Sequence, residues 1–159
     1  MPSIEKILKL YPLLTHYEQL ELSKKINRLV LLEKQELNWI LKFNRCPTDD
    51  ELATANGISV SELNEAFREG FAAKEKMILS NLRLVSWIAR KYQNKKVSFQ
   101  DLFQEGVFGL IIAVNRYNLL MGTTFATYAY WYILKEIQTA YFNNCRSIWL
   151  PISIYKKIS

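Results

Sequence analysis

The chain has 159 residues, half of them hydrophobic, and a formal net charge of +6 at pH 7. That is enough apolar material for one helical domain, or for two small ones packed together. Two cysteines far apart and a lone histidine argue against a disulfide scaffold, a zinc site or a metal cofactor, and point to a reducing compartment. The N-terminus lacks a signal-peptide pattern, and no uninterrupted apolar run approaches the length of a membrane span.

The charge is unevenly placed. Residues 1–73 carry nine Lys/Arg against eleven Asp/Glu, whereas residues 74–159 carry twelve against four. A basic half favours a polyanionic partner, although a solvated basic surface is the plainer alternative.

Strand-like alternation is absent and helix-start signals recur, which gives an all-α fold, a helical bundle. Thr15/Glu18, Thr48/Glu51 and Ser59/Glu62 have the spacing of capping boxes; Ser98/Asp101 is a weaker version with a shorter acid. Helices are expected over 16–43, 49–55, 60–68, 71–93, 99–117 and 124–145. His16, at the start of the first, is expected on the surface.

Segment 49–67, DDELATANGISVSELNEAF, has the outline of a helix-turn-helix. Asn64 could read a base, but the three glutamates of the second helix oppose a phosphate backbone. Two readings therefore stand, a structural spacer or hairpin and a DNA reader. Segment 74–93 is a strongly amphipathic helix whose apolar residues read as core.

In segment 98–117, SFQDLFQEGVFGLIIAVNRY, Asp101 and Glu105 share one helix face with Gln104 beside them. No His or Lys partner accompanies them, so an acid/base pair is disfavoured against a polar patch that docks a basic partner. Gly106 and Gly109 inside this helix each cost up to about 1 kcal/mol relative to Ala. Close approach of another helix is the simplest compensation.

Residues 121–142, MGTTFATYAYWYILKEIQTAYF, are the most informative. At about 100° per residue, Ala126, Tyr130, Ile133, Ile137, Ala140 and Tyr141 form a core face. Phe125, Tyr128, Trp131 and Tyr132 fall roughly opposite, among Lys135, Gln138, Thr139 and Phe142. One apolar face docks a helix; a second, aromatic and mixed with hydrogen-bonding groups, suits stacking with unpaired bases.

Several runs together resemble the sigma-70 family of bacterial and plastid RNA polymerase sigma factors. They are NLRLV from Asn81, IARKY from Ile88, FQDLFQEGVFGL from Phe99, FATYAYW from Phe125 and IWLP from Ile148. TYAYW is similar to the cyanobacterial and plastid branch. PLLTHYE from Pro12 resembles the end of region 1.2. The resemblance divides the chain into region 1.2-like helices (1–45), a short helix-turn-helix-like connector (46–73) and a region 2-like core (74–159).

It implies a promoter-specificity subunit, not an enzyme, working with RNA polymerase core in the cytoplasm or in a plastid stroma. Asp101, Gln104, Glu105, Val107 and Ile111 would meet the polymerase β′ clamp coiled coil. Phe125, Thr127, Tyr128, Trp131 and Tyr132, followed by Lys135 and Gln138, would contact the −10 element of promoter DNA, mainly its non-template strand. Asn81 and Leu84 would lie near the downstream end of that element. The family's basic residues before the motif glycine are replaced by the run Asn118, Leu119, Leu120, Met121. Thr139 stands where an arginine is usual, so weaker phosphate contact is expected. The alternative is a sigma-like interaction module that binds polymerase, or an anti-sigma or other regulatory protein, without melting a promoter.

Overall fold

The computed structural model describes residues 11–94, 97–118 and 122–144. IWLP at 148–151, Cys145 and the run Leu119–Met121 lie outside the described residues. Among the described residues five helices follow one another: α1 His16–Phe43, α2 Asp49–Asn56, α3 Val60–Tyr92, α4 Phe99–Arg116 and α5 Phe125–Asn144. No strand occurs among the described residues.

The helix starts are locally encoded. Thr15, Thr48 and Ser59 each accept a hydrogen bond from the backbone N–H three residues on, and Glu18, Glu51 and Glu62 return one to the cap backbone. Ser98 accepts from the Asp101 N–H while its hydroxyl donates to the Asp101 carboxylate at 2.7 Å. These four starts match the expected ones. Thr124 adds a fifth cap that the sequence reading did not single out, accepting from the Thr127 N–H at 3.4 Å. Between α2 and α3, Gly57 takes φ +65°, and the Ile58 N–H reaches back to the Ala53 carbonyl at 3.1 Å. That six-to-one closure needs a left-handed residue, which glycine adopts without a Cβ clash.

One expectation fails in the middle of the chain. Helices 60–68 and 71–93 are a single helix of 33 residues that runs through Gly70. A Cβ at Gly70 would lie 2.6 Å from the Leu29 Cβ of α1. The glycine therefore does not break α3; it lets α1 press against it. Its neighbours Phe71, Ala72 and Ala73 continue the helix without difficulty.

Two apolar clusters result. The smaller joins Leu32 of α1, Leu52 and Ala53 of α2, and Leu63 and Ala66 of α3. The larger is built from the C-terminal part of α3 (Met77, Val85, Ile88), from α4 (Leu102, Leu110, Ala113) and from α5 (Phe125, Ile133, Ile137), with Ile26 of α1. Because α3 feeds both clusters, the expected boundary at residue 73 falls inside one continuous helix. Surface ion pairs Lys25–Glu69, Lys74–Glu33 and Lys76–Glu18 cross between α1 and α3. Each contributes at most about 1 kcal/mol.

The α4–α5 contact positions the aromatic helix. A Cβ at Gly109 would meet the Tyr132 carbonyl oxygen at 2.7 Å and the Ile133 Cα at 2.9 Å. A Cβ at Gly106 would meet Val85 and Ile137 side chains at 2.7 and 2.9 Å. Both glycines thus mark close approach, and at Gly109 the approach is backbone to backbone.

Candidate nucleic-acid interface

Helix α5 buries Phe125, Ala129, Ile133, Ile137 and Ala140, a stripe at steps of three and four. This corrects the face expected from the sequence at two positions. Phe125 is fully buried and Ala126 is exposed. Phe125 sits at the edge of the apolar sector, and Tyr117 from the end of α4 closes over it edge-on at 5.2 Å. Phe125 therefore supports the aromatic surface from beneath and does not present its ring to solvent.

Around that anchor the surface builds outward. The Tyr117 hydroxyl donates to the Thr123 carbonyl at 2.8 Å, tying the α4–α5 connection to the core. Its ring lies 5.5 Å from that of Tyr128, which lies 5.0 Å from that of Tyr132. Tyr117 was missed in the sequence, where it read as the last residue of an amphipathic helix. Only the return of α5 against α4 makes it the keystone of the cluster.

Tyr128 and Tyr132 are half-buried, and the Tyr128 hydroxyl donates to that of Tyr132 at 3.0 Å. Burial, then this hydrogen bond, pushes the Tyr128 phenol up to about 12. The Tyr132 phenol moves down, chiefly because its oxygen accepts from Tyr128 and secondarily because Arg116 and Lys135 stand near. The two directions agree with one donor and one acceptor. The Tyr132 oxygen thus accepts from Tyr128 and lies near the Arg116 and Lys135 cations.

Trp131 projects from this base with 66% of its surface exposed. Leaving so large a ring in water forgoes roughly 2–4 kcal/mol of burial, which a stacking ligand can recover. Tyr130 abuts it at 5.4 Å, edge-on. Thr127 is exposed, its hydroxyl 2.9 Å from that of Thr124. Lys135 is exposed, 3.5 Å from Glu136. Gln138 is part-buried, its amide donating to the Tyr92 hydroxyl of α3 at 2.9 Å. On α3, Leu84 is half-buried against the main core. Asn81 is 9% exposed, its amide donating to the Met77 carbonyl at 2.8 Å. The structure therefore brings Thr127, Tyr128, Trp131, Tyr132 and Lys135 onto one outer surface of α5, leaves Phe125 beneath it, and buries Asn81 on α3.

A second outer surface lies on α4. Gln104 and Glu105 are exposed, Asp101 is exposed while bonded to its cap, and Val107 and Ile111 are half-buried. Phe108, which the sequence reading did not single out, is 55% exposed among them. The opposite side of α4 buries Leu102, Gly106, Gly109, Leu110 and Ala113. Among the described residues no group of three or more His, Cys, Asp or Glu could hold a metal ion. No helix among them is long and apolar enough to cross a membrane.

Comparison with known proteins places this geometry. Residues 77–146, covering the C-terminal part of α3, all of α4 and all of α5, match the Sigma-70 region 2 family. The chain is 44% identical over 144 residues, 90% of its length, to the RNA polymerase sigma factor sigF, chloroplastic, of Arabidopsis thaliana, of which it covers 26%. It is 41% identical over 142 residues, 89% of its length, to the RNA polymerase sigma factor SigA1 of Synechococcus elongatus, of which it covers 36%. The RNA polymerase sigma factor SigA of a Nostoc species is 42% identical over 142 residues, with coverage of 89% of this chain and 36% of that protein. The chain thus spans between about a quarter and a little over a third of the length of these relatives. The α3–α4–α5 core of the chain is thus matched as a Sigma-70 region 2 domain, and over most of its length the chain is similar to RNA polymerase sigma factors.

Proposed function

We propose that this chain is the part of a sigma factor that binds RNA polymerase core and captures unpaired non-template bases of the promoter −10 element. The observation that carries the proposal is Trp131, two-thirds exposed on a surface otherwise built of Tyr128, Tyr132, Thr127 and Lys135. A ring left in water beside hydroxyls and a cation offers stacking on its face and polar contacts at its rim.

Capture proceeds without covalent chemistry. DNA opens transiently at a T/A-rich step, at a cost of a few kcal/mol. Trp131, steadied by the tyrosine cluster, then holds an exposed base, with stacking contributing about 1–3 kcal/mol per base. Tyr132, with Arg116 and Lys135 nearby, lies where a backbone phosphate would find donors and positive charge. The partner protein is the polymerase β′ clamp coiled coil, met by Asp101, Gln104, Glu105, Val107 and Ile111 on α4, with exposed Phe108 as an apolar anchor among them. Such a protein works in a bacterial cytoplasm or a plastid stroma. The second reading, an interaction module that binds polymerase without opening DNA, keeps the α4 surface and discards the α5 one.

Binding of a fluorescent non-template −10 oligonucleotide, with and without polymerase core, separates these readings. Trp131→Ala and Tyr128→Ala are expected to weaken capture about five- to hundredfold while core binding persists. Intact core binding with unchanged capture in both variants would leave only the interaction module. Glu105→Lys is expected to weaken core binding, and unchanged affinity would remove the α4 surface from the proposal.

A further inference from the structure

Beyond the residues considered so far, the outer surface contains another exposed indole. Trp87 of α3 is 51% exposed, although its neighbours Val85, Ser86, Ile88 and Ala89 are buried. Its ring lies 6.4 Å from that of Tyr130, which lies 5.4 Å from that of Trp131. Tyr130 therefore bridges two exposed tryptophans that belong to different helices. The Lys91 ammonium, one turn along α3, stands 3.4 Å from the centroid of the Trp87 ring.

Each part of this arrangement favours a nucleotide. An indole face with an ammonium over it is a π surface held by a mobile cation, and lysine's four-carbon stem allows the ammonium to swing aside. A base that stacks on the ring displaces the ammonium towards the phosphate that arrives with it. The charge around the ring is complementary: no Asp or Glu occurs between Glu75 and Asp101, while Arg83, Arg90 and Lys91 do. Leu84, Trp87 and Lys91 follow one another along one stripe of α3 at steps of three and four, so the position continues the outer surface of α5 onto α3.

We propose that Trp87, with Lys91 and Tyr130, forms an additional stacking position for one nucleotide of a single strand, continuous with Trp131. This rests on the base-capture reading above. It adds a nucleotide to the footprint, with stacking on Trp87 and phosphate neutralisation by Lys91.

The test is equilibrium binding of labelled single-stranded DNA to the 159-residue chain on polymerase core, over a series of salt concentrations. Trp87→Ala is expected to weaken binding about five- to tenfold, at the lower end for one stacked base because half of the ring is already covered. Trp87→Phe should recover most of that loss, since it keeps an aromatic face. Lys91→Ala should lower the slope of log affinity against log salt by about 0.7, one phosphate's worth on a single strand. A purely structural role for Lys91 would not move that slope. Shortening the oligonucleotide by one nucleotide at the end that meets α3 should abolish the difference between parent and Trp87→Ala. If Trp131→Ala weakens binding while Trp87→Ala and Lys91→Ala bind as the parent does, the additional position is refuted and base capture stands. If the parent itself does not bind the strand, both are refuted.

Discussion

Gly109→Ala is the sharpest test of how the aromatic helix is held. The added Cβ would lie 2.7 Å from the Tyr132 carbonyl oxygen and 2.9 Å from the Ile133 Cα. These are backbone atoms of α5, and they cannot rotate away as a side-chain end can. Relief requires α4 and α5 to separate or slide. Overpacking of this kind costs about 1–3 kcal/mol. The backbone obstacle places Gly109→Ala near the upper end, and up to about 1 kcal/mol of regained helix propensity offsets it. The net expectation is a loss of about 2 kcal/mol. For a domain of this size that is a fall in Tm of roughly 4–8 °C. Gly106→Ala is the internal control, because its Cβ would meet Val85 and Ile137 side-chain atoms, which can shift. It should lose distinctly less. Urea unfolding with an unchanged m-value measures both. A Gly109→Ala protein as stable as the parent would refute the backbone-contact account of α4 against α5. The same variant moves Tyr132 and its neighbours, so oligonucleotide capture should fall with stability.

Two further outcomes follow from burial and from charge. Phe125→Ala removes a fully buried ring from the main core and should cost about 3–5 kcal/mol. Trp131→Ala, two-thirds exposed, should stay within about 0.5 kcal/mol of the parent; chemical unfolding of the pair would overturn the assignment of core and surface if the ranking reversed. Glu51 is held at about 2, first by its hydrogen bonds with Arg45 and then by the Thr48 backbone N–H. Its folded pKa is depressed, so the stability it contributes is fully present above the ordinary glutamate value of 4.5 and is lost as pH falls towards about 2. Thermal melts across that window should show the parent and Glu51→Gln converging at the acid end; parallel curves would refute the linkage.

What the sequence determined by itself was local. Thr15, Thr48, Ser59 and Ser98 cap the helices they were expected to cap, because a cap is made by residues within one turn of each other. The close approach implied by Gly106 and Gly109 was legible for a similar reason: a glycine inside a good helix needs a compensating neighbour. The family was legible too, because its motifs are contiguous runs of residues. Tertiary structure decided the rest. Gly70 looks like a break in one dimension and is a contact in three, since only α1 laid across α3 makes its missing side chain useful. The two faces of α5 carry similar rings, and periodicity could not say which side of the apolar sector Phe125 would join. Tyr117, eight positions earlier and just past the end of another helix, settled that by closing over Phe125 and shelving Tyr128. Trp87 and Trp131 are 44 positions apart in the chain, and only the packing of α3 beside α5 sets Tyr130 between them. Short-range hydrogen bonds are written into neighbouring residues, whereas a surface shared by three helices exists only once their cores have met.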